Sequence, residues 1–389
     1  MKGSKKHRNV SPEEAIGHIS PGRRLVLPTE IVSGLQVAYP FLAEGLEASF
    51  TFRTWQCAPP IRHLLKKGTV RYIPMRQGDA VRVFSKKGPW PVDVALIQVS
   101  PPDEHGFCSL GVSIGHMLPL SLEAELVIAE VNPRMPRVLG DSFIHLSRID
   151  YVVESDRELL EYPSGGKPGE KEISIGRHAA ELIPDGATLQ IGIGAIPEAI
   201  LDGLSEKRDL RFFAMGVDKI VDMVEKGVVV PGPGPKIRVT EILGSRRLRP
   251  LPETINPQVV GRIPRFCSVV SAIELDLTGQ VNAETVKGMQ ISAIGGSFDF
   301  IQGALFSEGG CSILALTSTT PDEKISRIVP QLAPGTAVTT PRHSVQYVVT
   351  EYGIAEIWGR SLKERALALA QIAHPKFRDD LLEKAKELF

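Results

Sequence analysis

The chain has 389 residues, room for two or three domains that each bury a core. Its 42% apolar, 23% charged and 6% aromatic residues, with 36 Gly and 30 Pro, give a soluble, turn-rich globular profile and exclude a fibrous or disordered chain. Lys+Arg and Asp+Glu both total 45, so no net charge draws the chain to nucleic acid or an acidic membrane, although a local basic site for an anionic small molecule stays open.

Cys57, Cys108, Cys267 and Cys311 are too scattered for a disulfide framework or a zinc knuckle, which predicts a reducing, cytoplasmic setting and no metal. Residues 1–9 are basic but lead into Pro12-Glu13-Glu14 rather than an apolar run, and read as a solvated tail. No stretch of about 18 apolar residues predicts a membrane span.

In chain order, Ser11-Pro12-Glu13-Glu14 opens a helix with a capping box and Pro at its first position. Short β-branched runs then predict strands at 24–27, 92–100, 126–131, 188–192 and 312–316, alternating with amphipathic stretches, an α/β pattern. Residues 161–170 are the clearest linker and divide an N-terminal domain, 1–160, from a C-terminal one, 171–389. Ser361-Leu-Lys-Glu364 caps a further helix running to the His374-Pro375 break.

A weak repeat links the halves. Ile19-Ser-Pro-Gly22 returns as Ile183-Pro-Asp-Gly186, 164 residues on, and Asp103-Glu-His-Gly106 as Asp276-Leu-Thr-Gly279, 173 residues on. Two pairs in the same order predict a duplicated α/β unit, chance matching of turn residues being the alternative. The crevice between such units is the usual ligand position.

Gly192-Ile193-Gly194-Ala195-Ile196-Pro197 joins a strand to a helix, so its amides suit an anion or a developing oxyanion, or form a plain turn. Pro197 stands where a dinucleotide fingerprint needs Gly, and no Lys-Ser/Thr follows, so neither a Rossmann nor a Walker site is supported. Gly295-Gly296 permits close backbone approach to a ligand, or a bulged loop. Gly111-Val-Ser113-Ile-Gly115 has the elbow spacing of serine hydrolases, but His116-Met-Leu-Pro119 is a poor helix start, so Ser113 is not read as a nucleophile. His105-Gly-Phe-Cys108 beside Asp103 reads as a turn, not a metal or Cys-His corner.

Taken together, Val99-Ser-Pro-Pro-Asp-Glu-His-Gly-Phe-Cys-Ser-Leu-Gly111, Leu139-Gly-Asp-Ser-Phe-Ile-His145, Leu189-Gln-Ile-Gly-Ile-Gly-Ala-Ile-Pro197, Glu274-Leu-Asp-Leu-Thr-Gly-Gln-Val-Asn282, Lys324-Ile-Ser-Arg-Ile-Val-Pro330 and Val348-Val-Thr-Glu-Tyr-Gly353 resemble the acetyl-CoA hydrolase/transferase family, of the 4-hydroxybutyrate CoA-transferase type. The resemblance covers about residue 95 to the end, and the first ninety residues look shortened. It implies two like α/β domains with the active site between them, coenzyme A as substrate rather than cofactor, a small carboxylate acceptor and a homodimer or larger assembly. Family chemistry is ping-pong: a glutamate attacks the acyl thioester, CoA thiolate opens the anhydride to a glutamyl-CoA thioester, and the acceptor reverses the sequence. Carried over, Gly192, Ile193, Gly194, Ala195 and Ile196 line the CoA and oxyanion site, Gly295 and Gly296 face the thioester, and Asn282 and Lys324 contact CoA.

One departure stands out. The family's nucleophile lies in a His-Ser-Glu-Met or Tyr-Thr-Glu segment, where this chain reads Leu210-Arg-Phe-Phe-Ala-Met-Gly-Val-Asp218. Matching Met215 and Asp218 places Ala214 at the nucleophile, and a methyl group forms no anhydride. The chain then cleaves acyl-CoA with water activated elsewhere, is an engineered transferase, or binds acyl-CoA without catalysis. Glu284 and Glu351 are the two further carboxylates considered for the thioester, each also readable as a structural acceptor.

Overall fold

The Ser11 hydroxyl accepts the Glu14 N–H at 3.2 Å and Pro12 begins α1 (Pro12–Gly17), as the local sequence predicts. In the computed structural model the residues described are 7–26, 52–57, 59–112, 114–159, 167–216, 218–229, 237–242, 247–248 and 255–389. The expected linker, 161–170, lies partly outside them.

The N-terminal unit centres on five parallel strands: β1 (Arg8–Asn9), β2 (Leu25–Val26), β3 (Val94–Val99), β4 (Leu126–Val131) and β5 (Tyr151–Glu154), in spatial order β1-β5-β4-β3-β2. Between β3 and β4, α2 (Met117–Glu123) lays Met117, Leu118 and Leu120 in one cluster with Ala95, Ile97 and Val99. That cover explains why β3 reads as a nearly continuous apolar run.

The C-terminal unit comprises α3 (Glu170–Leu182), β6 (Thr188–Ile191), α4 (Ala195–Gly203), β7 (Arg211–Gly216), α5 (Asp218–Glu225), β8 (Ile237–Ile242), β9 (Arg247–Leu248), β10 (Phe266–Ser271), α6 (Ser297–Phe306), β11 (Cys311–Ala315), β12 (Tyr347–Thr350), β13 (Gly353–Glu356), α7 (Leu362–Gln371) and α8 (Pro375–Leu388). Its sheet runs β13-β12-β11-β10-β6-β7-β8-β9, parallel except for the β12–β13 hairpin. Leu139–Gly140, from the first half, forms the outermost strand beside β9.

The two units share one plan. In the first, β2, β3, β4 and β5 lie side by side and parallel; in the second, β6, β10, β11 and β12 do the same. A helix precedes the first strand in each, α1 or α3, and another, α2 or α6, lies between its second and third. The Asp-x-x-Gly turns also coincide. Asp103 Oδ1 accepts the N–H groups of His105 and Phe107, and Asp276 Oδ1 those of Thr278 and Gln280. Gly106 and Gly279 donate to the carbonyls of Asp103 and Asp276, both with positive φ (80° and 94°) that glycine adopts without strain. Strands β7–β9 extend the second sheet beyond β6, with no counterpart in the first sheet among the described residues.

Ser361 and Glu364 form both halves of the capping box that starts α7, and His374 caps α8 through Nδ1 and the Lys376 N–H. Among the described residues no helix is long and apolar enough to cross a membrane.

Candidate active site

Strand β6 is buried at all four residues and ends at Ile191, and from Gly192 the chain turns into α4. Gly194 is the residue before the helix, with φ 118°, a conformation that side-chain-bearing residues rarely adopt. No atom lies within 4 Å of where a Cβ would stand on Gly192 or Gly194. The loop therefore presents open backbone at the carboxyl edge of a parallel sheet and at a helix N-terminus, a placement that favours an anion or a developing oxyanion. Ile196, in the first turn, packs against the core and anchors the loop from behind.

Strand β7 pairs with β6 through Thr188↔Arg211, Leu189↔Phe212 and Gln190↔Phe213. The pairing ends at Phe213, one residue before Ala214. Phe212 belongs to the cluster around β6, α3 and α4, whereas Phe213 meets Phe266 edge-on at 5.6 Å in the cluster with Phe300 of α6. These rings, standing where polar residues were expected, build core on both faces of β7 and do not wall a pocket together.

Gly295 has φ 56° with open space where a Cβ would be, and Gly296 caps α6. An N-terminal segment holds this loop: Gln77 donates its N–H to the Gly295 carbonyl at 2.8 Å, and Gly78 donates to Asp299 Oδ2 at 3.4 Å. Arg76 Nη1 donates to Asp299 Oδ1 at 2.9 Å, while Nε and Nη2 hold Asp79, each at 3.0 Å. Burial pushes the Asp299 carboxyl up to about 7 against the opposing pull of Arg76.

The family models for the acetyl-CoA hydrolase/transferase N-terminal and C-terminal domains match residues 34–161 and 244–385. The chain is 40% identical to 4-hydroxybutyrate coenzyme A transferase of Clostridium kluyveri over 425 residues, covering 99% of this chain and 98% of that one. The chain belongs to the acetyl-CoA hydrolase/transferase family. It is also 35% identical to butyryl-CoA:acetate CoA-transferase of Anaerostipes caccae, over 87% of this chain and 81% of that one. Among solved structures, RipA from Yersinia pestis superimposes with a TM-score of 0.89 at 30% identity, covering 98% of this chain and 97% of that one.

Within this acetyl-CoA hydrolase/transferase chain the remaining candidates separate. Asn282 is fully buried, its amide nitrogen donating to Glu274 Oε1 (2.9 Å) and the Thr285 carbonyl (2.7 Å) while Oδ1 accepts three further bonds. Its polar atoms are thus spent within the chain. Lys324 is 78% exposed, its nearest carboxylate Asp322 at 4.0 Å. Glu284 accepts from Tyr72 Oη (3.0 Å), Thr339 Oγ1 (3.0 Å) and Gln290 Nε2 (3.1 Å), and burial followed by the Glu284 charge drives the Tyr72 hydroxyl well above its ordinary range. Glu351 accepts from the Ser318 N–H and hydroxyl, both at 2.8 Å. Both carboxylates are engaged as structural acceptors. Cys108 is fully buried, and burial pushes its thiol up to about 11, far from a reactive thiolate. Ser113 lies outside the described residues. His105 sits exposed on the Asp103 turn, and among the described residues no cluster of metal-binding side chains occurs.

Strand β8 pairs with β7 through Phe213↔Arg238 and Ala214↔Val239, then slips by one residue so that Met215 pairs with Glu241 and Gly216 with Ile242. No local motif marks this slip.

Proposed function

We propose that the chain acts on acyl-CoA thioesters and transfers CoA between a small acyl group and a carboxylate acceptor. The observation that carries this reading is the pair of open glycine backbones: Gly192–Gly194, at the carboxyl edge of the sheet before α4, and Gly295, before α6. Bare amides with room in front of them stabilise a thioester oxyanion without reorganisation, provided a nucleophile is in place. The reading uses two domains, 1–160 and 171–389, with CoA as substrate, and extends to a homodimer in the cytoplasm. Gly192 to Ile196, Gly295 and Gly296 form the CoA and thioester surface. The exposed Lys324 ammonium suits a CoA phosphate, while Asn282 contributes by holding the 282–285 turn.

Ala214 favours a second reading, an acyl-CoA hydrolase or non-catalytic acyl-CoA-binding subunit, because the nucleophile position carries no carboxylate. Isotope exchange separates the two. Incubation with butyryl-CoA and labelled acetate yields labelled acetyl-CoA from a transferase, free CoA and butyrate from a hydrolase, and neither from a binder that still takes up CoA in calorimetry. Absence of CoA binding overturns both readings.

A further inference from the structure

Gly295 and Gly296 owe their setting to residues far away in the chain. Asp299 stands in the first turn of α6, three residues past Gly296, and is 1% exposed. Both of its oxygens are taken by the same N-terminal strap: Oδ1 by Arg76 Nη1 at 2.9 Å and Oδ2 by the Gly78 N–H at 3.4 Å. Between those two residues, Gln77 donates its N–H to the Gly295 carbonyl at 2.8 Å. A Cβ on Gly78 would stand 3.0 Å from Asp299 Oδ2 and 3.3 Å from the Ile255 carbonyl oxygen, so the fit of the strap against α6 leaves little room for a side chain. Residues 76 to 78 thus grip the loop and the start of the helix together.

The Gly295 carbonyl and the Gly296 N–H belong to one trans peptide, in which they point in opposite directions. The hydrogen bond that draws the carbonyl to Gln77 therefore turns the Gly296 N–H away from the strap, and among the described residues that N–H has no acceptor. Its direction is set from behind. Arg76 is itself oriented: Nε and Nη2 each meet Asp79 at 3.0 Å, and Asp79 is held in addition by Arg82 Nη2 at 2.6 Å. A planar guanidinium meets Asp79 along one edge and Asp299 with a further donor at once, which a lysine ammonium, a flexible point charge, does not. Burial of Asp299 offsets much of its attraction to Arg76, so the main effect of the pair is on geometry.

We infer that Arg76 is a positioning residue for the thioester: by holding Asp299 it keeps the strap seated on the Gly295 carbonyl, and so aims the Gly296 N–H at the thioester oxygen. The inference rests on the acyl-CoA reading above, which puts the thioester at this loop. Arg76 acts through two hydrogen bonds and a peptide plane, without contact to the reacting atoms. A preset donor stabilises developing charge without reorganising, whereas a loop released from the strap has to be ordered at each encounter. Loss of Arg76 therefore weakens what depends on the carbonyl oxygen and spares what depends on the rest of CoA.

The test uses the full chain and two CoA derivatives that are not turned over. One is the butyl thioether, which lacks the carbonyl oxygen; the other is the ketone analogue of butyryl-CoA, which keeps that oxygen and has a methylene in place of sulfur. Calorimetry on the wild type is expected to show tighter binding of the ketone. In Arg76→Ala that preference is expected to shrink by about fivefold, the size of one neutral hydrogen bond, with affinity for the thioether unchanged. Equal weakening toward both probes would mean that Arg76 only stabilises the fold, and overturns the inference. An unaltered preference in the variant, or a wild type that binds both probes alike, overturns it too. If Arg76→Ala does not fold, Arg76→Lys decides by the same ratio: a fall is expected although the charge is kept, and an unaltered ratio overturns the inference. A wild-type chain that binds neither probe overturns the acyl-CoA reading itself.

Discussion

Arg76 Nη1 lies 2.9 Å from Oδ1 of Asp299, a carboxylate 1% exposed in the first turn of α6, so a guanidinium from the N-terminal unit ties down the helix that begins at Gly296. The same guanidinium also holds Asp79, and the attraction it gives Asp299 does not repay the burial.

The Asp299 carboxyl, pushed up to about 7, makes stability depend on pH in a defined direction. An unfolded aspartic acid titrates near about 4, so between about pH 4 and 7 the folded chain binds the extra proton and stability falls as pH rises. Asp299→Asn removes this proton. Its urea-unfolding free energy is expected to fall less steeply over that window than the wild type's, by on the order of 4 kcal/mol at most. Parallel slopes in the two proteins would show that Asp299 titrates normally.

At Gly194 the φ of 118° and the open space ahead of the backbone make separate demands on the residue. Gly194→Val strains the loop and fills the space that the reading assigns to CoA. Calorimetry is expected to show CoA affinity weakened by more than tenfold, about 1.4 kcal/mol. Unchanged affinity would place CoA elsewhere.

Restoring a carboxylate at the family's position gives a third test. Ala214→Glu is expected to produce a glutamyl-CoA adduct at residue 214 on incubation with acyl-CoA, with a partial gain in transfer, because placing a carboxylate does not by itself align it with the oxyanion donors. Peptide mapping after borohydride reads the adduct. Its absence in a folded, CoA-binding variant would mean that the Gly192 loop does not face residue 214.

For Cys108, full burial and a thiol raised to about 11 predict inertness. Cys108→Ala should leave any acyl-CoA activity within a few-fold, and iodoacetamide at pH 8 should label the folded wild-type chain negligibly at this residue. A loss near 10³-fold would make Cys108 the nucleophile.

Features legible in the sequence were those whose causes are local. Asp103 and Asp276 fold their turns with their own carboxylates and a glycine three residues on, so both could be recognised as a repeat. Ser361 and Glu364 cap α7 within one turn, and 126–131 is a strand at the expected residues. The site was only half legible. Glycine pairs announce open backbone, but Arg76 meets Asp299 across 223 residues. Glu351 stands within the Val348–Gly353 stretch and Glu284 just after Asn282, yet their carboxylates are occupied by nearby donors, which no spacing reveals.

The two-residue strand Leu139–Gly140 gives the halves a physical dependence on each other. It closes the rim of the larger sheet against β9, so the second half expressed alone would leave that row of amides and carbonyls without the partner it has in the whole chain. Uncapped rims of this kind recruit other strands and lead to aggregation. During synthesis the piece that seals the rim emerges before the sheet that needs it, so the nascent chain carries its own cover, and dividing the gene at the linker would remove that safeguard.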